Sequence, residues 1–390
     1  MDLPVLEDLR PVEGKRVLVR CDFNVPISNG EITDDLRIRL PIETLTWLLD
    51  EGAAKLTVCT HLGRPKGKPD PKYSVEPVRK HLFSLLEEQG ASTGRVELME
   101  NLRYNPGEEA NDPNFVEELV KGQDLYVDDA FGAAHRAHAS IVGPPKFLPS
   151  AAGRVLFREV DVLDGLLQAP KRPFVAVLGG AKVSDKLGVI EALMAKVDTL
   201  LVGGGMCFTF LAAQGHPTGG SLLEESFVGK CRELLAQAES SGKRIVLPTD
   251  IVGLSPDGVF GAGRQPEGEV REFGADLAPG WLGLDVGPGT AAAFADEIAS
   301  AATVFWNGPM GVFEDPRFAA GTRTVAEAMA STSAFTVVGG GDSASALKAF
   351  GLDDKVSHLS TGGGASLEFI EKGDLPGLAA LRSSPHRRQG

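Results

Sequence analysis

The chain has 390 residues and a net charge of −14, with 43% of its residues hydrophobic and 24% charged. That balance is the composition of a soluble globular protein, and at roughly 150 residues per domain the length predicts two or three folding units. The excess of acid excludes nucleic acid and anionic membrane as main partners, so any anion has to be met by a local cluster of basic residues.

The first residues, MDLPVLEDLRP, lack the basic-then-apolar pattern of a secretory signal. The longest uncharged stretch, from Thr199 to His216, contains a glycine triplet and falls short of the roughly 20 apolar residues of a membrane span. A cytoplasmic protein without a membrane segment is expected. Cys21, Cys59, Cys207 and Cys231 form neither a CxxC pair nor a metal-ligand spacing and read as buried, reduced thiols.

In chain order, apolar runs at 17–20, 56–60, 96–99, 125–127, 174–178, 200–202, 244–247, 303–306 and 335–338 predict strands, most of them ending in a Gly, Asp or Asn turn. Between them lie amphipathic patterns such as LPIETLTWLLDEG, SVEPVRKHLFSLLEEQG, SDKLGVIEALMAKV and FVGKCRELLAQAESSG. The alternation indicates βαβ units with parallel sheets, and continuous rather than alternating apolar runs indicate strands covered on both faces. So many strands exceed one sheet. A division falls near 160–173, where REVDVLDGLL reads as a helix and QAPKRP as a break punctuated by Pro170 and Pro173.

Basic residues recur at the strand ends of the first half. Asp22-Phe23-Asn24 follows the first strand, where ligands of open parallel sheets bind, although an Asx turn is the plain alternative. Arg37 stands at the start of a predicted helix, a place where arginine is often merely solvated. His61-Leu62-Gly63-Arg64 follows the second strand, with Gly63 permitting close backbone approach, and Arg103 and Arg136 follow the next two. Arginines gathered at successive strand ends are suited to phosphate and carboxylate.

The second half accumulates glycine turns: Gly179-Gly180, Gly203-Gly204-Gly205, Gly339-Gly340-Gly341-Asp342-Ser343 and Gly362-Gly363-Gly364. Glycines before a helix offer backbone N–H groups to phosphate, and Asp342 is a carboxylate of the kind that holds Mg²⁺ together with phosphate oxygens. Lys182 and Lys186 are four residues apart, which on a helix places both ammonium groups on one face. Glu314 is either a surface acid or an acceptor for a ribose hydroxyl. No GxxxxGK[ST] occurs, which disfavours a Walker-type site, and Gly287-Pro288-Gly289-Thr290-Ala291-Ala292 is a poor dinucleotide fingerprint.

In order along the chain, VLVRCDFNVP, THLGRPKG, ENLRYNPGEE, DDAFGAAHRAHAS, LGGAKVSDKLGVIEAL, VGGGMCFTF, VFWNGPMGVFE, VVGGGDS and HLSTGGGASLEF resemble the motifs of the phosphoglycerate kinase family, over nearly the whole chain. The resemblance implies an α/β protein of two doubly wound, Rossmann-like parallel-sheet domains joined by a helical hinge. Residues 1–165 would bind 3-phosphoglycerate, residues 166–370 would bind Mg²⁺-nucleotide, and the segment 371–390 would pack back on the first domain. It implies 3-phosphoglycerate contacts from Asp22, Phe23, Asn24, Arg37, His61, Leu62, Gly63, Arg64, Arg103 and Arg136. Lys182 would follow the transferring phosphoryl group, with Arg37, Gly363 and Gly364 also acting on it. Lys186, Gly203, Gly204, Gly283, Asn307, Pro309, Glu314, Gly340, Gly341, Asp342 and Ser343 would hold the nucleotide, Asp342 also holding the metal, and Gly362 would open the helix that points at the transferred group. Few positions depart from the family's pattern: Ser343 stands where Thr is common, Cys21 where Val is common, Gly289 where Lys is usual, and Gln168 where Glu is frequent.

The resemblance implies a monomeric kinase with a carboxyl acceptor, passing a phosphoryl group reversibly between 1,3-bisphosphoglycerate/ADP and 3-phosphoglycerate/ATP with Mg²⁺, by positioning, charge neutralisation and hinge closure. The alternatives are a non-catalytic, nucleotide-binding descendant of the same fold and, less well supported, a Rossmann-type dehydrogenase.

Overall fold

The computed structural model describes residues 2–261 and 265–386. Its chain divides into two compact units, residues 1–164 with 372–390, and residues 165–371.

The first unit is built on a five-stranded sheet. In chain order its strands are β1 (Arg16–Cys21), β2 (Lys55–Cys59), β3 (Val96–Leu98), β4 (Leu125–Asp129) and β5 (Ser150–Ala152). They lie in the order β3-β2-β1-β4-β5, all neighbours parallel. The apolar runs predicted the first four; Ser-Ala-Ala is too short and too small to show as a run. Val17, Val19, Leu56, Val58, Leu125 and Val127 share one core with Leu45, Leu48, Val78, Leu82 and Leu86 of the helices Ile42–Asp50 and Glu76–Glu88.

The sheet order reverses between β1 and β4. There the connections leave to opposite faces of the sheet, so a crevice opens beyond the strand ends. Asp22 follows β1 at this point, while His61 and Arg103 follow β2 and β3.

The second unit repeats the order with one more strand. β6 (Phe174–Leu178), β7 (Thr199–Val202) and β8 (Arg244–Val246) are followed by an antiparallel trio, β9 (Asp250–Leu254), β10 (Val270–Gly274) and β11 (Leu282–Val286), then by β12 (Thr303–Asn307), β13 (Phe335–Gly339) and β14 (His358–Leu359). The main sheet runs β8-β7-β6-β12-β13-β14, and the trio forms its own small sheet in the order β10-β9-β11. Its crevice therefore lies between β6 and β12. Every residue of β6 and β12 is buried, as parallel strands covered on both faces must be.

Helix α1 (Arg154–Gln168) contains the boundary between the units. Its N-terminus is fixed in the first unit, where the Asp129 carboxylate at the end of β4 accepts from the N–H groups of Val155 and Leu156 at 2.8 and 3.2 Å. The chain returns to the first unit at Lys372. The last helix, Pro376–Arg382, buries Leu378 and Leu381 completely, and the Gly377 N–H donates to the Ala134 carbonyl at 2.9 Å. Leu378→Ala should therefore cost the first unit about 2–5 kcal/mol, the range for a buried leucine that leaves a cavity. Denaturant unfolding followed by fluorescence in a variant keeping only Trp47 reads this unit, and an unshifted midpoint would mean the segment does not stabilise it.

Candidate active site

In the first unit the strand ends carry a buried ionic network. Arg20 on β1 is almost fully buried. Its Nε donates to Ser140 Oγ at 2.9 Å, and Ser140 Oγ donates to Glu108 Oε1 at 2.7 Å. Arg20 Nη2 lies 3.0 Å from His61 Nδ1. A guanidinium can only donate, so this nitrogen accepts, which assigns the proton of the neutral ring to Nε2. Burial, followed by the charges of Arg20, Arg103 and Arg37, drives the imidazole pKa well below its ordinary value despite Asp22. His61 is therefore an uncharged donor at neutral pH, not a member of a cationic cluster.

Asp22 pairs with Arg37 at 3.0 Å, and Arg37 also donates to the Asn24 carbonyl at 3.4 Å. Burial pushes the Asp22 carboxyl up, but the charges of Arg37 and Arg20 outweigh it and hold the group below the usual carboxylate range. Asn24 Oδ1 accepts from the Gly63 N–H at 2.8 Å, and the Gly63 carbonyl accepts from Arg103 Nη1 at 2.8 Å. These contacts bring Asp22, Asn24, Arg37, His61, Gly63 and Arg103 into one cluster.

The remaining expected residues stand differently. Phe23 and Leu62 send their side chains into the core, leaving backbone atoms alone to serve a ligand. Gly63 has φ +60°, and a Cβ there would sit 2.4 Å from the Tyr73 ring, so the glycine is required by tyrosine packing as well as by any ligand. Arg64 and Arg136 are exposed, and their side chains make no hydrogen bond or ion pair among the described residues. Arg20 was not anticipated, although an arginine inside an apolar strand is itself a signal of a buried network.

In the second unit two cavities adjoin at the crevice between β6 and β12. One, of 370 Å³, is lined by Lys182, Lys186, Asn307, Gly340, Gly341, Asp342, Ser343, Gly363 and Gly364 among others. The other, of 720 Å³, is mostly apolar and takes in Gly204, Phe208, Ile251, Leu282, Gly283, Pro309, Met310, Val312 and Glu314. Gly180, Ala181 and Asp342 line both. Gly203 and Gly362 line neither; Gly203 is packed behind the wall, where an added Cβ would meet Met310 Sδ at 2.5 Å.

Lys186 closes the crevice. Its ammonium donates to the carbonyls of Gly179 and Asn307 at 2.6 and 3.1 Å and to Asn307 Oδ1. Burial lowers its pKa to about 8 against the attraction of Asp342 and Asp185. Gly308 has φ +93°, and a Cβ on it would stand 2.4 Å from the Gly179 carbonyl oxygen and 2.7 Å from Lys186 Nζ. The expectation that the two lysines share a helix face is corrected: the helix begins at Leu187. Lys182 and Lys186 occupy the preceding turn, Lys182 exposed and Lys186 largely covered. Ser343, on the wall of the same cavity, has a buried hydroxyl that accepts from the Gly308 N–H at 2.6 Å.

The helices Gly341–Phe350 and Gly364–Lys372 begin at this polar cavity. A lysine-lined pocket with helix N-termini at its edge, continuous with an apolar pocket, matches a polyphosphate bearing a flat apolar group. The phosphoglycerate kinase family model matches residues 6–373. The chain belongs to the phosphoglycerate kinase family.

Curated relatives agree. The chain is 51% identical to the phosphoglycerate kinase of Rubrobacter xylanophilus, with 98% of each chain covered, and 53% identical to that of a Parafrankia species, with 96% of this chain and 99% of the relative covered. Among solved structures, phosphoglycerate kinase from Coxiella burnetii superposes with a TM-score of 0.85 at 36% identity, covering 98% of this chain and 99% of that one. None of these matches supports a non-catalytic descendant.

The apolar cavity is the part of the site that sequence reading reached least. Phe208, Ile251, Leu282, Met310 and Val312 come from separate elements, and each reads singly as core. The Lys186 pKa near 8 carries a pH dependence with a definite sign. A polyphosphate needs the ammonium form, so above pH 8 binding must take up a proton and affinity should fall by up to about tenfold per pH unit. Calorimetry with ATP from pH 7 to pH 9.5 measures this, and Lys186→Met should flatten the profile; a wild-type profile already flat would take Lys186 out of phosphate binding.

Proposed function

We propose that this chain transfers a phosphoryl group reversibly between ATP and the carboxylate of 3-phosphoglycerate. The observation carrying this reading is the junction at Asp342 of an apolar cavity with a lysine-lined polar one. The apolar cavity takes the adenine, with Glu314 on its wall available to accept from a ribose hydroxyl. Lys186 and the N–H groups at Gly340–Gly341 take the phosphates. 3-Phosphoglycerate is taken by the first unit, through Arg37, Asn24, His61 Nε2–H and Arg103, with Arg64 and Arg136 as further charges.

Mg²⁺ fits the residues present. The Asp342 side chain makes no hydrogen bond or ion pair among the described residues, so its oxygens are available. No group of three or more His, Cys, Asp or Glu forms a metal cage among the described residues, as suits an ion held by one carboxylate and phosphate oxygens. When bound, the ion supplies neutralisation of phosphate charge.

The acceptor is a carboxylate, already deprotonated at neutral pH, so no general base is needed. The work left to the protein is alignment and charge stabilisation on the equatorial oxygens. In this reading exposed Lys182 follows the moving group from donor to acceptor, and Arg37 contributes positive charge. The four cysteines are free and buried, and among the described residues no helix is long and apolar enough to cross a membrane; both support a cytoplasmic setting.

Arg37→Ala and Lys182→Ala should each lower kcat by roughly 10²–10³-fold, as loss of one transition-state donor does, while ATP affinity changes little for Arg37→Ala. A coupled assay with ATP, Mg²⁺ and 3-phosphoglycerate checks both, and wild-type turnover in Lys182→Ala would reject its role. Asp342→Asn should weaken ATP binding in the presence of Mg²⁺ far more than in EDTA. Equal losses in the two calorimetric titrations would place the metal elsewhere.

A further inference from the structure

The two cavities of the second unit are joined by a connection that phosphate binding alone does not require. Leu222 and Leu223 line the apolar cavity, and Leu222 leaves 45% of its surface exposed. A large aliphatic side chain uncovered on a cavity wall is a surface that a bound base would cover. The next residue is Glu224. Its N–H donates to Thr209 Oγ1 at 3.3 Å, on the helix Cys207–Ala213, whose Cys207 and Phe208 line the same cavity. Its carboxylate accepts from the Ser184 N–H at 3.0 Å and from the Ser184 hydroxyl at 2.6 Å.

Ser184 lies midway between Lys182 and Lys186, in a turn outside any regular helix or strand. The orientation of such a segment rests on a few side-chain contacts, and two hydrogen bonds to one carboxylate are of the stronger, charge-assisted kind. Burial would raise the Glu224 carboxyl, yet the Ser184 hydrogen bonds, with the Lys182 charge adding to them, hold it below the usual range. Glu224 thus touches both the cavity wall and the lysine turn.

We propose that Glu224 is a positioning residue through which filling of the apolar cavity by a nucleoside base sets the placement of Lys182. This rests on the reading of that cavity as the base site. A base packed against Leu222 and Leu223 restricts the wall, Glu224 moves or stiffens with it, and Ser184 carries the restriction to Lys182. Binding at one end selects among arrangements of the turn at the other.

Adenosine tests this because it carries no phosphate to reach the lysines. In protein labelled with ¹³Cε-lysine, the Lys182 resonance is identified by its disappearance in Lys182→Arg. Saturating adenosine should move that resonance in the wild type. In Glu224→Gln, adenosine should still bind within about threefold of the wild-type Kd by calorimetry, since the cavity wall keeps its apolar side chains. The movement should be lost, and kcat with ATP and 3-phosphoglycerate should fall roughly 10–100-fold while KM for 3-phosphoglycerate holds, the loss expected for hydrogen bonds to a charged group. Ser184→Ala, a milder change at an exposed position, should reduce the movement in part. A Lys182 shift that survives in Glu224→Gln, or no shift in wild type with adenosine bound, would overturn the proposal alone. Failure of adenosine to bind the wild type would overturn the base-site reading, and this inference with it.

Discussion

An acidic chain that binds two anions faces a repulsion it can only solve locally. The charge of −14 belongs to the whole chain, and its field is screened beyond about 8–10 Å at ordinary ionic strength. A cation within 4 Å of an anion contributes about 4 kcal/mol at an effective dielectric of 20. Short-range placement therefore outweighs the global sign, provided each cation is kept from collapsing onto one of the many carboxylates. Both units place such cations beyond the strand ends of their parallel sheets, and both sheets leave a crevice there at the point where strand order reverses.

The two sites meet this demand by different means. In the first unit, charges restrain charges: Arg20 is tied to Ser140, Glu108 and His61, and Arg37 rests on Asp22. Any anion that reached Arg37 would have to compete with Asp22 for it. In the second unit, Lys186 is held by two carbonyls and an amide oxygen rather than by a carboxylate. Dipoles satisfy its donors without neutralising its charge, and the cost appears as a lowered pKa instead of as a competing anion.

Much of this was legible in the sequence. The nine apolar runs correspond to strands, most of them because a parallel strand covered on both faces admits little else; Arg244–Val246, at a sheet edge and only partly covered, is the exception. The antiparallel trio was missed: β10 is largely exposed and β9 and β11 are only partly buried, so their residues show no continuous run. The glycine turns predicted where backbone would border a cavity, and the basic residues predicted which side chains would be near it. Their partners were less legible. Lys182 and Lys186 share a helix face by spacing alone, yet the helix starts only after Lys186, leaving both in a turn pinned by Glu224 from a remote segment. Periodicity carries no information about a contact between residues 40 apart in the chain.

The crevice around Gly308 also shapes how this site can change over generations. Any side chain at that position would run into the Gly179 carbonyl and the Lys186 ammonium, so single substitutions there lead to loss rather than to novelty. The wall made by Leu222, Leu223, Leu282 and Val312 is formed of side chains that can be exchanged without moving the main chain. Heritable variation has open routes along that wall and almost none through the polar end. The two halves of one pocket thus differ in evolvability, the polar half confined by its backbone and the apolar half left free to be retuned.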